Sequence, residues 1–308
     1  MPVIISKELP AVETLQKENI FALVKERAST QDIRPLKIVI VNLMPQKEAT
    51  ELQLLRLLSQ SPIQLDIRLL KMRTHRAKTA SNHHLDKFYQ DFLKLQHENF
   101  DALIVTGAPV ETMPFEKVDY WAELCEILKW SQKHCFSCLH ICWGAQAGLF
   151  FHYGIEKYLY SQKLFGIYTQ RVLTPHPLLR GFNDTFDCPQ SRYTGIRLEA
   201  GECPELQHLD ENAEIGSTIF VSKDQKNIFV LGHLEYETET LKEEFLRDLK
   251  KNLPTSMPLN YFEQNNPHGR IENTWRCSAS LFFHNWINEI YQQTPYDLAE
   301  LGQYVEEN

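Results

Sequence analysis

The chain has 308 residues, 43% apolar and 23% charged, enough to bury a substantial core in one large or two average domains. No run approaches the roughly 18 uninterrupted apolar residues that cross a bilayer, and the start has no apolar run of signal-peptide length, so a cytoplasmic protein without membrane attachment is expected. With 32 Lys and Arg against 40 Asp and Glu, the net charge of −8 argues against a nucleic-acid-binding surface while leaving room for a local basic patch that meets a small anion.

In chain order, residues 37–43 (KIVIVNL) form a short β-branched run between Pro35 and Pro45 and predict a buried strand. Leu52, Leu54, Leu55, Leu57 and Leu58 then fall largely on one side of a helix. The pattern recurs: strand 63–70, helix 84–95, strand 100–105, helix 120–130, strand 136–141, helix 144–153. Strands separated by helices of this length predict a parallel sheet covered on both faces. Beyond it, 165–172, 196–198, 215–222 and 228–231 read as strands without long helices between them, and 238–251 and 281–291 as helices. No repeat or Gly/Ser linker divides the sequence, so a single domain over 1–308 is expected, with an α/β core at about 36–253 and an irregular C-terminal extension at about 254–308.

In open α/β sheets ligands gather outside the carboxyl ends of strands, and there Cys142 stands out. It follows strand 136–141 directly and precedes Trp143-Gly144-Ala145-Gln146, small residues that permit the tight strand-to-helix turn of a nucleophile elbow. A helix N-terminus favours a thiolate over a thiol. Seven cysteines in a chain without a secretion signal read as free thiols, and the bland alternative for Cys142 is a small buried hydrophobe. A metal site is a second alternative, because His134, Cys135, Cys138, His140 and Cys142 lie within nine residues; strand alternation sends Cys138, His140 and Cys142 to one face, and no second CxxC completes a knuckle, so no metal is expected. A cysteine nucleophile needs a base. His233 follows strand 228–231, and Glu235 two residues on can orient its imidazole as the third member of a triad does. The basic stretch 71–78 reads chiefly as a solvated loop, with contact to an anionic ligand the alternative.

Six segments together resemble one family: His140-Ile-Cys142-Trp143-Gly144-Ala145-Gln146, Gly232-His233-Leu234-Glu235-Tyr236, Thr106-Gly107-Ala108-Pro109-Val110-Glu111, Asn42-Leu43-Met44-Pro45, Thr30-Gln31-Asp32-Ile33 and Phe283-His284-Asn285-Trp286. They look like the MetA-type homoserine O-acyltransferases, over almost the whole chain. More distantly the chain is similar to class I glutamine amidotransferases, which share the elbow cysteine, the His-x-Glu pair and a flavodoxin-like sheet. The resemblance implies that fold and a ping-pong acyl transfer. Cys142 would take the acyl group from acyl-CoA as an enzyme thioester, and His233, oriented by Glu235, would deprotonate the hydroxyl of an amino-acid acceptor. Backbone N–H groups near Trp143 and Gly107 are candidate oxyanion donors, each worth ~3 kcal/mol. Lys163, Ser191 and Arg247 match substrate-binding positions of the family; a cation is what an acceptor carboxylate needs, while the bland reading of Arg247 is a solvated helix face. Lys47 is either a CoA or site contact or a surface charge.

In the family the residue at Glu111 lies near the acyl tail, and a small residue there goes with succinyl. A carboxylate facing the succinyl carboxylate at about 5 Å, with effective dielectric ~20, costs roughly 3 kcal/mol, about a hundredfold. Acetyl-CoA is therefore the expected co-substrate, with no tightly bound cofactor. L-homoserine is the expected acceptor. The chain departs from the family pattern at Gln190, at Gln46 and across Trp275 to Ser280, which leaves L-serine as the alternative acceptor, since a pocket separates one methylene by only ~1–3 kcal/mol. Homoserine O-succinyl transfer and glutamine hydrolysis are more distant alternatives. A homodimer is expected by analogy.

Overall fold

The computed structural model describes residues 34–74, 82–199 and 201–301, together with a two-residue parallel pair, Val3–Ile4 with Ala22–Leu23. The Thr30–Ile33 segment and the second half of the basic stretch, His75 to Lys78, lie outside the described residues. The first buried run forms β1 (Leu36–Val41), followed by α1 (Lys47–Leu58) and β2 (Leu65–Lys71). Next come α2 (Asn82–Phe88), β3 (Tyr89–Asp91), α3 (Phe92–Leu95) and β4 (Phe100–Val105). Then follow α4 (Trp121–His134), β5 (Cys135–Ile141) and α5 (Trp143–Tyr153).

The expected helix over 84–95 is therefore interrupted. Residues 89–91 pair with the open edge of β2, and Tyr89 is anchored there, its hydroxyl accepting from Asn42 Nδ2 at 2.9 Å and donating to Glu51 Oε1 at 2.5 Å. An edge with unpaired N–H and C=O groups outweighs local helix propensity.

After α5 the chain makes two long strands, β6 (Lys157–Val172) and β7 (Thr185–Ile196), paired antiparallel with a register shift between Leu159 and Leu164. The strand expected at 165–172 is only the second half of β6, and of the one expected at 196–198 only Ile196 is in a strand, as the last residue of β7. Four short strands follow: β8 (Leu206–His208), β9 (Asp210–Glu211), β10 (Ile219–Ser222) and β11 (Asn227–Val230). β10 starts later than the expected 215–222, because Asn212 and Gly216 close a turn by mutual backbone hydrogen bonds. α6 (Thr240–Lys250) and α7 (Arg276–Gln293) complete the main elements.

The main sheet has eight strands in the order β8-β10-β11-β5-β4-β1-β2-β3, parallel from β11 to β3, and a separate three-stranded sheet has the order β9-β6-β7. Period-2 alternation divides the core. Ile38, Ile40, Ile104, Leu139 and Ile141 face α1 and α7, whereas Val39, Val41, Leu103, Val105 and Cys138 face α4. Between α6 and α7, from Lys251 to Trp275, the chain has no long helix or strand. α7 then returns to the core, inserting Phe282, Phe283, Trp286, Ile287 and Ile290, with Trp286 Nε1 donating to Ser137 Oγ at 3.0 Å. Among the described residues no helix is long and apolar enough to cross a membrane.

Candidate active site

The carboxyl ends of β1, β4, β5 and β11 converge on one point. There Cys142 links β5 to α5 with φ 52° and ψ −115°, a conformation that costs a non-glycine residue of order 1–3 kcal/mol. The turn closes because Gly144 lies against the end of β4: a Cβ there would stand 2.7 Å from the carbonyl oxygens of both Val105 and Thr106. It also takes Cys142 off the strand's alternation. Cys138 packs on the α4 side of the sheet and Cys142 on the α1 side, contrary to the expectation that they share a face.

His140 stacks on Phe229 at 4.9 Å, and burial pushes its pKa down to about 3, so it is a neutral core imidazole. His134 bonds Asn99 and stacks on Trp130. Among the described residues no group of three or more His, Cys, Asp or Glu could hold a metal ion.

The Cys142 N–H donates to the Val230 carbonyl at 2.7 Å, which ties the nucleophile to the end of β11, three residues before His233. Gly232 allows His233 to enter, since a Cβ there would meet Cys188 Sγ at 2.3 Å and Gln190 Nε2 at 2.5 Å. His233 Nδ1 bonds Glu235 Oε1 at 2.6 Å, and the imidazole also hydrogen-bonds Cys142. Burial disfavours the imidazolium, but negative charge on Cys142 and on Glu235, with a hydrogen bond to each, prevails and holds the His233 pKa well above its ordinary value. Gly107 lies over the pair: a Cβ on it would be 3.3 Å from Cys142 Cβ and 3.5 Å from His233 Cε1. The Trp143 N–H belongs to the first turn of α5, where a helix offers no i−4 acceptor. Both backbone segments border the position an oxyanion at Cys142 would take.

Lys163, Ser191 and Arg247, which are distant in sequence, meet on a shared acidic scaffold. Lys163 Nζ bonds Asp248 Oδ2 at 3.1 Å and lies 3.9 Å from the Phe165 ring centroid. Arg247 Nε and Nη2 contact Asp248 Oδ1 at 2.9 and 2.8 Å. Ser191 Oγ donates to Glu244 Oε2 at 2.5 Å. Although burial opposes it, Arg247 and Lys163 hold the Asp248 carboxyl below its ordinary range.

Sequence reasoning missed Glu244. It accepts the Tyr236 hydroxyl at 2.9 Å, and the Tyr236 ring is stacked on His233 with centroids 4.0 Å apart. Its spacing one turn before Arg247 on α6 was the available signal.

Glu111 is fixed against β7: its Oε2 accepts the Tyr193 N–H at 2.8 Å and Thr194 Oγ1 at 3.3 Å. Burial raises its pKa, opposed by these hydrogen bonds and by the charge of Arg192. Arg192 is fully buried, donating to Gln190 Oε1 at 2.9 Å, Tyr160 Oη at 3.0 Å and Thr194 O at 2.8 Å. Gln190, one of the departures from the family pattern, is thus an acceptor for that guanidinium. Lys47 is not a surface charge: it is buried, its Nζ donates to the Asn42 carbonyl, and burial pushes its pKa down to about 8 against the opposing charge of Glu51. In the basic stretch, the Arg73 and Thr74 N–H groups bond the buried Glu123 carboxylate.

A buried thiol, an imidazole and an orienting carboxylate beside the Gly107 and Trp143 backbone can form and discharge an acyl-thioester. A family model described as homoserine O-succinyltransferase matches residues 2–296. The chain belongs to this family. A protein of Petrotoga mobilis named homoserine O-acetyltransferase is 51% identical over 308 residues, covering 99% of this chain and all of its own. Another so named, from a Geobacillus species, is 52% identical over 300 residues, covering 96% and 99%. Among solved structures, a glutamine amidotransferase from Thermotoga maritima aligns with TM-score 0.55 at 11% identity over 84% of this chain and all of its own. One from Methylobacillus flagellatus gives 0.53 at 13% over 83% and 95%. These likenesses bear out the class I glutamine amidotransferase-like α/β fold.

Proposed function

We propose that this protein is an acetyl-CoA:L-homoserine O-acetyltransferase working through a thioester on Cys142. The observation that carries the reading is geometric: the elbow residue Cys142 is tied by its N–H to the Val230 carbonyl at 2.7 Å, and His233, three residues further on, is buried with its Nδ1 2.6 Å from Glu235 Oε1.

The thiolate of Cys142 attacks the acetyl-CoA carbonyl, and the oxyanion forms beside the Gly107 and Trp143 backbone. Coenzyme A leaves with the proton of His233. Once Cys142 is a neutral thioester, one of the two charges that raise the His233 pKa is gone, together with its hydrogen bond, and burial pulls the imidazole toward neutrality. It becomes the base the second half-reaction needs. Nδ1 stays on Glu235, so the free nitrogen takes the acceptor's hydroxyl proton while the alkoxide attacks the thioester. Cys142 departs as thiolate, and the starting charges are restored.

Lys163 and Arg247 supply cations for the acceptor's carboxylate, Glu244 supplies an anion for its ammonium, and Ser191 bridges them. The relatives at about half identity carry the name of the homoserine enzyme, which supports homoserine over serine. A cytoplasmic homodimer that binds neither membrane nor nucleic acid belongs to the same reading.

Incubation with acetyl-CoA alone is expected to add one acetyl group to the intact chain by mass spectrometry, with no adduct in Cys142→Ala. L-homoserine should discharge the adduct faster than L-serine. Faster loading from succinyl-CoA would overturn the acetyl assignment, and ammonia release from glutamine without an adduct would overturn acyl transfer altogether.

A further inference from the structure

Lys157 opens β6, and its ammonium reaches out of the hairpin to the loop between β4 and α4, donating to the backbone carbonyls of both Glu111 and Met113. The same ammonium stands 4.6 Å from the centroid of the Phe115 ring, which is stacked on Phe150 of α5 at 4.7 Å. Glu111 is therefore held from two sides. Its carboxylate is fixed by Tyr193 and Thr194 of β7, and its main chain is gripped by a cation from β6. Hydrogen bonds from an ionised donor are about twice as strong as neutral ones, and two carbonyls on one ammonium fix a loop's position as well as its distance. A cavity of about 310 Å³ lies beside this loop, lined by Glu111, Phe115, Lys157 and Thr194 among others, so a released loop has room to move.

We infer that Lys157 is a positioning residue for acyl choice, holding the Glu111 carboxylate where the end of the acyl chain arrives. This rests on the reading of Glu111 as the group that excludes succinyl. Repulsion between two carboxylates falls with their separation, so a loop free to retreat loses discrimination without any change in the nucleophile or base. Lys157 touches none of the reacting groups. Its effect should appear in the ratio of kcat/KM for acetyl-CoA over succinyl-CoA rather than in discharge of the acyl-enzyme.

The test compares that ratio in the full-length wild type, Lys157→Met, Lys157→Gln, Lys157→Arg and Glu111→Gly, together with the KM for L-homoserine. Lys157→Met keeps most of the stem without a donor, and Lys157→Gln keeps a shorter, neutral donor. Both are expected to lower the ratio about tenfold, with the homoserine KM within about twofold of wild type, while Lys157→Arg retains most of the discrimination. An unchanged ratio in both neutral variants, with Glu111→Gly lowering it, overturns the inference. An unchanged ratio in Glu111→Gly overturns the Glu111 reading itself, and the role of Lys157 falls with it.

Discussion

Cys142 occupies a backbone conformation that its side chain disfavours, and it does so at the point where β5 must become α5 without a loop. The strain belongs to the Cβ and not to the sulfur, so Cys142→Ala keeps it and Cys142→Gly releases it. Glycine also loses more chain entropy on folding than alanine, by about 0.5–1 kcal/mol, against a relief of order 1–3 kcal/mol. The glycine variant should therefore be the more stable of the two variants by about 1 kcal/mol in urea unfolding, and a glycine variant less stable than the alanine one by about 0.5–1 kcal/mol would show that the turn is unstrained. Cys142, His233 and Glu235 were legible in the sequence because each stands at or just past the end of an unmistakable buried strand. Glu244 was not. A glutamate in the run Leu241-Lys-Glu-Glu244-Phe has the composition of an ordinary solvated helix face, and only the return of β7, which brings Ser191 beside it, distinguishes it from Glu243.

The first turn of helix α5 lies against the end of strand β4, and Gly144 is the residue that makes this close approach possible. Gly144→Ala would place a methyl group 2.7 Å from two carbonyl oxygens that belong to a central strand end and cannot rotate away. The helix must shift instead, carrying Cys142 with it. Such overpacking costs about 1–3 kcal/mol, and displacement of the nucleophile lowers the rate of acetyl loading further, by about a hundredfold, in rapid-quench measurements. A loss of stability with an unchanged loading rate would argue that the elbow is set elsewhere. The parallel strands and their helices were legible because each is a continuous apolar run or a periodic one. The β6–β7 hairpin was only half so: from Lys157 to Leu164 the strand is largely exposed or half-buried and polar, and its pairing is non-local. The break at Tyr89–Asp91 likewise depends on a partner strand that periodicity alone does not show.

Across the whole molecule, the proposed pair Cys142 and His233 follows two adjacent strands in the interior of an eight-stranded sheet, while α7 closes one face of the same core. The site is thus part of the main core. Loss of acetyl loading and loss of far-UV helical signal should therefore follow one urea transition with a common midpoint, and activity vanishing well before the helices unfold would contradict this. The bond from the Cys142 N–H to the Val230 carbonyl gives that arrangement a further meaning. It makes the spacing of neighbouring strands, about 4.8 Å, the ruler that fixes nucleophile against base. Glu111, Lys163 and Ser191 lie outside that strand pair, on a loop and on the hairpin, and the hairpin meets the ruler at a different residue, where Pro189 accepts the His233 N–H at 2.9 Å. On the proposed reading, substitution at those three positions is expected to change the choice of acyl group or acceptor while the strand spacing that separates Cys142 from His233 is left as it was.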